Sequence, residues 1–198
     1  MPAHRAPTLT ADQATALLAG TAGDEFGALW AVLLAAGLRI SEALALTWEG
    51  FDGKAISVRY QLTRRNGEWI RIPTKAARSV DTVALPSFAA EALGALNVRR
   101  GSPKFGHCFL TAAGFPPSEQ QALNALYAAE KRLGLPRVGL HGLRHTSLTI
   151  LADAGVPEDV RMRRAGHSTT QMARRYTSGA DAQDQAAADA LGAAIGGK

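Results

Sequence analysis

The 198-residue chain has a single cysteine, Cys108. No intrachain disulfide can close, and a four-cysteine zinc site is excluded. Long apolar runs are also missing. The longest near-apolar stretch, Phe26 to Leu38, has 13 residues, too few for a helix to cross a bilayer. Behind Met1-Pro2-Ala3-His4-Arg5 there is no apolar stretch that would make a signal peptide. These shortages lead to the expectation of a soluble cytoplasmic protein with no membrane partner. What is present is an ordinary globular balance, 46% hydrophobic and 20% charged residues. That balance rules out disorder along the whole chain and suffices for one sizeable core or two small domains.

The net charge of +5 is distributed unevenly. Residues 54–104 hold 10 basic against 3 acidic side chains, and residues 131–178 hold 9 against 3. These two blocks carry 19 of the 22 Lys and Arg, while the segments around them are acidic. A fold that brings both blocks to one face would create an electrostatic footprint for a polyanion; otherwise they are a solvated basic surface.

Local patterns predict a mainly α chain with a small β insert. Thr10-Ala11-Asp12-Gln13 is a capping box opening a helix to about Leu18. A helix over Glu25 to Ala36 is apolar nearly all round, so it belongs inside a core, with Gly37 as its left-handed stop. A third helix starts near Ser41. Alternation then predicts three strands of one antiparallel sheet, Ala55 to Gln61, Trp69 to Pro73 and Val80 to Leu85, with Arg64-Arg65-Asn66-Gly67 as a turn. Helical periodicity returns from Ser87, read as a cap, to about Val98, and after the Ser118-Glu119-Gln120-Gln121 capping box. It continues over Gly142 to Ala154, Pro157 to Arg164 and Thr170 to Arg175. From Ala180 to Ile195 an Ala-rich tail has Leu191 and Ile195 as its few large apolar groups. The expected division is an N-terminal tail over 1–8, a compact domain over 9–178 and a terminal helix over 179–198.

His141-Gly142-Leu143-Arg144-His145 invites several chemistries. The histidines stand four apart, as zinc ligands on a helix do, but the glutamate that follows the first in metalloproteases is absent. Ser147 lacks the flanking glycines of a nucleophile elbow. An anion site fits better: His141 and Arg144 are three apart near a helix start, and a guanidinium fork matches two phosphate oxygens. Arg39 lies between apolar segments, with Glu42 in helical reach to orient it. Lys75 falls between the second and third strands. Gly166-His167-Ser168 is followed nine residues after the histidine by Tyr176, in a basic stretch.

With these fragments in order, the sequence resembles the catalytic domain of the tyrosine recombinases, or phage-type integrases, over residues 9 to 178. That family carries a Gly-Leu-Arg-x-Ser-Glu segment, a hairpin lysine, a His-x-x-Arg pair, a Gly-His pair and a tyrosine nucleophile. Here these fall on Arg39 with Glu42, Lys75, His141 with Arg144, His167 and Tyr176. The following Thr-Val-x-Leu-Pro rhythm is Thr82 to Pro86, while Asp81 stands where the family often has a basic residue. The resemblance implies a mainly α fold with a small three-stranded antiparallel sheet, and a site-specific recombinase that cuts and rejoins double-stranded DNA without metal, cofactor or ATP.

In that chemistry Tyr176 forms a 3′-phosphotyrosyl link. Arg39, Arg144 and His167 neutralise the phosphate, Lys75 protonates the leaving oxygen, His141 handles the tyrosine proton and Glu42 supports Arg39. The resemblance also implies a homo-oligomer, a tetramer, on DNA. Its tail docks either on a neighbouring protomer or on its own domain. Alternatives are a type IB topoisomerase with the same chemistry and a non-enzymatic helix-turn-helix protein using Arg161, Arg163 and Arg164.

Overall fold

The computed structural model describes residues 7–74, 82–166 and 180–196. Helix α1 (Ala11–Thr21) opens on the expected capping box: the Gln13 amide donates to the Thr10 hydroxyl at 3.2 Å and the Thr10 amide to the Gln13 side chain at 2.9 Å. Every residue of α2 (Gly27–Ala36) is buried, as its all-round apolar sequence requires. Its first two expected residues, Glu25 and Phe26, lie outside it. Helix α3 (Ile40–Leu44) follows after one turn of chain.

Next come four short strands, β1 (Ala55–Ser57), β2 (Tyr60–Arg65), β3 (Glu68–Pro73) and β4 (Thr82–Ala84). The small antiparallel β element is present, but the first expected strand is divided at Val58 and Arg59, and its halves take different partners. β1 pairs with β4, Ile56 opposite Val83, whereas β2 pairs with β3 from Tyr60–Pro73 to Arg65–Glu68. Ile56, Val58 and Leu62 all point inward, so one extended segment keeps its buried face while changing neighbours. At the hairpin end Asn66 and Gly67 have φ of 52° and 86°, the double left-handed turn that suits the strands' twist.

The remaining helices are α4 (Ser87–Arg99), α5 (Glu119–Arg132), α6 (Gly139–Asp153), α7 (Glu158–Arg164) and α8 (Ala180–Leu191), the last continued by a π-turn at Gly192–Gly196. Ser87 is the first residue of α4, after Pro86, rather than a side-chain cap. Ser118 does cap α5 in a full capping box. Helix α6 begins three residues earlier than its periodicity predicts, which puts His141 in its first turn. The helix expected over Thr170 to Arg175 lies outside the described residues.

Helix α2 is the axis of the core, packed against α1, α3, α4 and α6. Helix α8 lies on α6, α7 and β4 of its own chain, burying Ala187, Ala188 and Leu191, with Ile195 buried in the π-turn. The Ile195 carbonyl accepts from the Thr15 hydroxyl at 2.7 Å.

Gly37 ends α2 at φ 59°, ψ 31°, its amide donating to Leu33 O at 3.0 Å. A Cβ added there would meet nothing closer than 3.6 Å, so the left-handed backbone, not space, requires glycine. Gly37→Ala should therefore lower stability by about 1–2 kcal/mol, read as a reduced denaturation midpoint with an unchanged m-value.

Candidate functional site

The end of α2 gathers the cationic side chains. Past the Gly37 turn, Arg39 sits just before α3, and Glu42 in the first turn of that helix reaches back to it. The Glu42 carboxylate accepts from the Arg39 backbone amide at 3.0 Å and from its Nη1 at 3.1 Å. The carboxylate is buried while the Arg39 side chain is 44% exposed. A buried anion thus holds a guanidinium whose other edge meets solvent, as the Arg39–Glu42 spacing predicts.

Arg144 reaches the same turn from α6. It is 1% exposed, and its Nη1 donates to the Gly37 carbonyl. Arg144 and Arg39, 105 positions apart in sequence, are thereby anchored two residues from each other on one turn. His141 and Arg144 share α6 but differ in burial: His141 is exposed and Arg144 enclosed. His141 stacks edge-on against His145 with ring centroids 4.6 Å apart. Partial desolvation, then the like charges of His145, Arg144 and Arg39, hold the His141 imidazole below its usual pKa. Arg39, His141 and Arg144 therefore share one electrostatic environment. The neutral form of His141 is thereby favoured beside the charged arginines.

Two supports escaped sequence reading. Glu130 of α5, 1% exposed, accepts from the Val138 amide at 3.1 Å and so caps α6 from another helix. Burial raises its pKa despite the hydrogen bonds from Val138 and Gly139. The signal was a carboxylate at an inward position of α5, in register with Ala122, Leu126 and Ala129. The second support is Arg164 of α7, paired with Asp184 of α8 inside the domain.

Lys75, His167 and Tyr176 lie outside the described residues, as does Asp81. Their approaches are described: β3 runs towards Lys75, and α7 ends three residues before His167. The hairpin of β2 and β3 exposes Arg64, Arg65 and Arg71. Two of these lie over aromatic rings, Arg71 at 4.4 Å from the centre of Tyr60 and Arg64 at 5.7 Å from Trp69.

Among the described residues no three His, Cys, Asp or Glu side chains stand together as a metal site. Cys108 is fully buried, and desolvation raises its thiol pKa, which makes it a poor nucleophile. The donors that converge are cationic, so the site suits an anion with several oxygens. In α7, the helix on which the helix-turn-helix alternative places its basic residues, Arg164 is buried, Arg161 donates to Val156 O at 3.0 Å and Arg163 to the Gln183 side chain at 2.7 Å.

The model of the phage integrase family matches residues 7–183. The chain belongs to that family. The integrase of Mycobacterium phage L5 is 29% identical over 161 residues, 78% of this chain and 43% of that protein. Tyrosine recombinase XerD of Mycobacterium tuberculosis is 28% identical over 190 residues, covering 89% and 58%. The chain thus spans about half the length of these curated relatives.

Among solved structures, XerA recombinase superimposes with a TM-score of 0.70 at 21% identity, covering 92% of this chain and 64% of that one. The Tn1549 transposon integrase, in complex with transposon right end DNA, gives 0.68 at 23% identity, with 93% and 66% covered. The fold is that of the tyrosine recombinase catalytic domain, mainly helical with a small antiparallel β-sheet.

The charge environment of His141 is directly measurable. In an NMR pH titration its imidazole should titrate below the ordinary value of about 6.5. His145→Ala should move that midpoint upward, because a like charge is removed. A midpoint unchanged by the substitution would show that the two rings do not interact.

Proposed function

We propose that this chain cuts and rejoins double-stranded DNA through a covalent 3′-phosphotyrosyl link, as a site-specific recombinase. The observation that carries the reading is the convergence of Arg39 and Arg144 on the turn after α2, with His141 within their field. Membership of the phage integrase family supports it. So does the Tn1549 integrase, whose solved structure holds transposon DNA.

In this reading the Tyr176 oxygen attacks the phosphorus, and the bond from phosphorus to the 5′-oxygen breaks. Lys75 gives its proton to that oxygen, an exchange an ammonium performs and a guanidinium does not. The phenol, with a pKa near 10, loses its proton to His141. Negative charge growing on the nonbridging oxygens meets Arg39, Arg144 and His167, and the two arginines are held by Glu42 and Gly37 before the reaction begins. Glu42 keeps Arg39 in one orientation. A 5′-hydroxyl from another strand reverses each step, so the covalent link conserves the phosphodiester energy without metal, cofactor or ATP.

The basic hairpin and the segment from Lys131 to Arg175 would grip the backbone on both sides of the scissile phosphate. On DNA the chain would act as a tetramer, in the cytoplasm. A lambda integrase dimer bound to a core site is a structural neighbour with a TM-score of 0.56.

Wild-type protein incubated with nicked duplexes of randomised core should yield SDS-stable adducts, in the presence of EDTA as well as without it. Tyr176→Phe should abolish them while still binding DNA. Adducts formed by the phenylalanine variant would displace Tyr176 as nucleophile, and loss of adducts in EDTA would indicate a metallonuclease. Arg39→Ala should slow adduct formation by about 100- to 1,000-fold.

DNA affinity should fall at least about 10-fold when salt is raised from roughly 50 to 200 mM, since phosphate contacts release counterions. A flat salt response in a fluorescence-anisotropy titration would contradict a basic DNA-facing surface.

A further inference from the structure

The Arg164–Asp184 pair is buried in the described core and joins several of its elements. Arg164 is 2% and Asp184 6% exposed. The Arg164 Nε and Nη2 donate to the Ala35 carbonyl at 3.3 and 3.1 Å, and Nη2 also donates to Ala84 O. Nη1 donates to Asp184 O at 3.1 Å and to Asp184 Oδ1. Asp184 Oδ2 in turn accepts from the Ala84 amide at 2.6 Å. All five guanidinium N–H groups are used. One ion pair therefore fastens together the end of α2, strand β4, α7 and α8.

Each of those four segments leads into a residue of the proposed site. Ala35 is four positions before Arg39, and Ala84 follows the stretch that contains Lys75. Arg164 is three positions before His167, and Asp184 is eight after Tyr176. Stability alone is a weak reason for such a pair, because well-packed apolar residues in its place are often as stable or more so. Its geometry supplies what apolar packing lacks: fixed directions to four pieces of chain.

We propose that Arg164 and Asp184 are positioning residues, which set the relative placement of the four segments that deliver Arg39, Lys75, His167 and Tyr176. The inference rests on the phosphotyrosyl reading above. Neither side chain touches DNA; the pair acts through the backbone of α2, β4, α7 and α8. A misplacement of about 1 Å in a reacting group costs on the order of 100-fold in rate. DNA affinity, set by surface cations, does not depend on the pair.

The test uses the full chain and a nicked duplex recovered from the adduct-forming pool, with Asp184→Asn and Arg164→Lys as separate variants. Asp184→Asn removes the charge but keeps an acceptor for Ala84. Arg164→Lys keeps the charge but loses the planar fork. Folding is followed by circular dichroism, binding by anisotropy, and cleavage by single-turnover adduct formation at saturating DNA.

The expected result is a folded variant whose cleavage rate falls by about 100-fold while its DNA affinity stays within about twofold of wild type. Wild-type cleavage rates per folded molecule would overturn the positioning role. Failure of both variants to fold even in the cold would also overturn it, leaving the pair as a requirement of the fold. If the wild-type chain forms no adduct on any duplex, the phosphotyrosyl reading itself fails, a result distinct from either of the others.

Discussion

The last carbonyls of a helix have no partner within it, and the aligned peptide dipoles leave that end partly negative. In this molecule the helix concerned is α2, all of whose residues are buried, so water cannot satisfy its end. Two arginines do so instead: Arg164 donates to Ala35 O, and Arg144 to Gly37 O. Both guanidinium groups are almost wholly enclosed. Burying a charge is costly unless it is paired and hydrogen-bonded. The end of α2 supplies carbonyl acceptors to both, and Asp184 is the carboxylate paired with Arg164. The core and the cationic site are therefore one construction, since the helix that organises the apolar interior also collects the positive charge.

That construction accounts for the electrostatics of the site. A lysine in place of Arg144 would bring a point charge on a flexible stem, with no planar fork to be oriented by the Gly37 carbonyl. Arginine keeps its charge and its direction together. Arg39, fixed by Glu42 rather than by the helix end, has the more exposed guanidinium. The two differ in solvation but are held from the same short turn. His141, placed in the first turn of α6 by the cap from Glu130, meets their field and resists protonation. An imidazole whose charged form is disfavoured thus stands among fixed cations.

Much of this was legible from local sequence. Gly37 as a stop, the capping boxes at Thr10 and Ser118 and the Arg39–Glu42 pairing all depend on residues within four positions of each other, and the burial of α2 on one continuous apolar run. The order of the motif fragments also pointed to the family. Features that depend on distant contacts were not legible. Nothing near Arg144 announces that it will be buried against a carbonyl 107 residues away. The strand expected from Ala55 to Gln61 divides because its halves find partners on either side of residues 75–81, and alternation alone records a buried face, not a partner. Helix α6 starts early because Glu130 comes from another helix to cap it, so no cap residue marks the start in its own sequence.

A physical signal for the hidden contacts was nevertheless present. Glu130 lies in register with Ala122, Leu126 and Ala129 on α5; Asp184 with Ala187, Ala188 and Leu191 on α8; and Arg164 one turn after Val160 on α7. Each is a charged residue at an inward position of an amphipathic helix. Burial at such a position is tolerable only if a complementary group arrives from elsewhere in the chain. An inward charge is thus a statement about tertiary structure written in local sequence: it requires a partner without naming it. Here the partners are the start of α6 for Glu130, Arg164 of α7 and the Ala84 amide for Asp184, and the end of α2 together with Asp184 for Arg164. All three place segments that lead to the proposed site, so the charges that look like errors in the apolar stripes are the ones that connect the core to the chemistry.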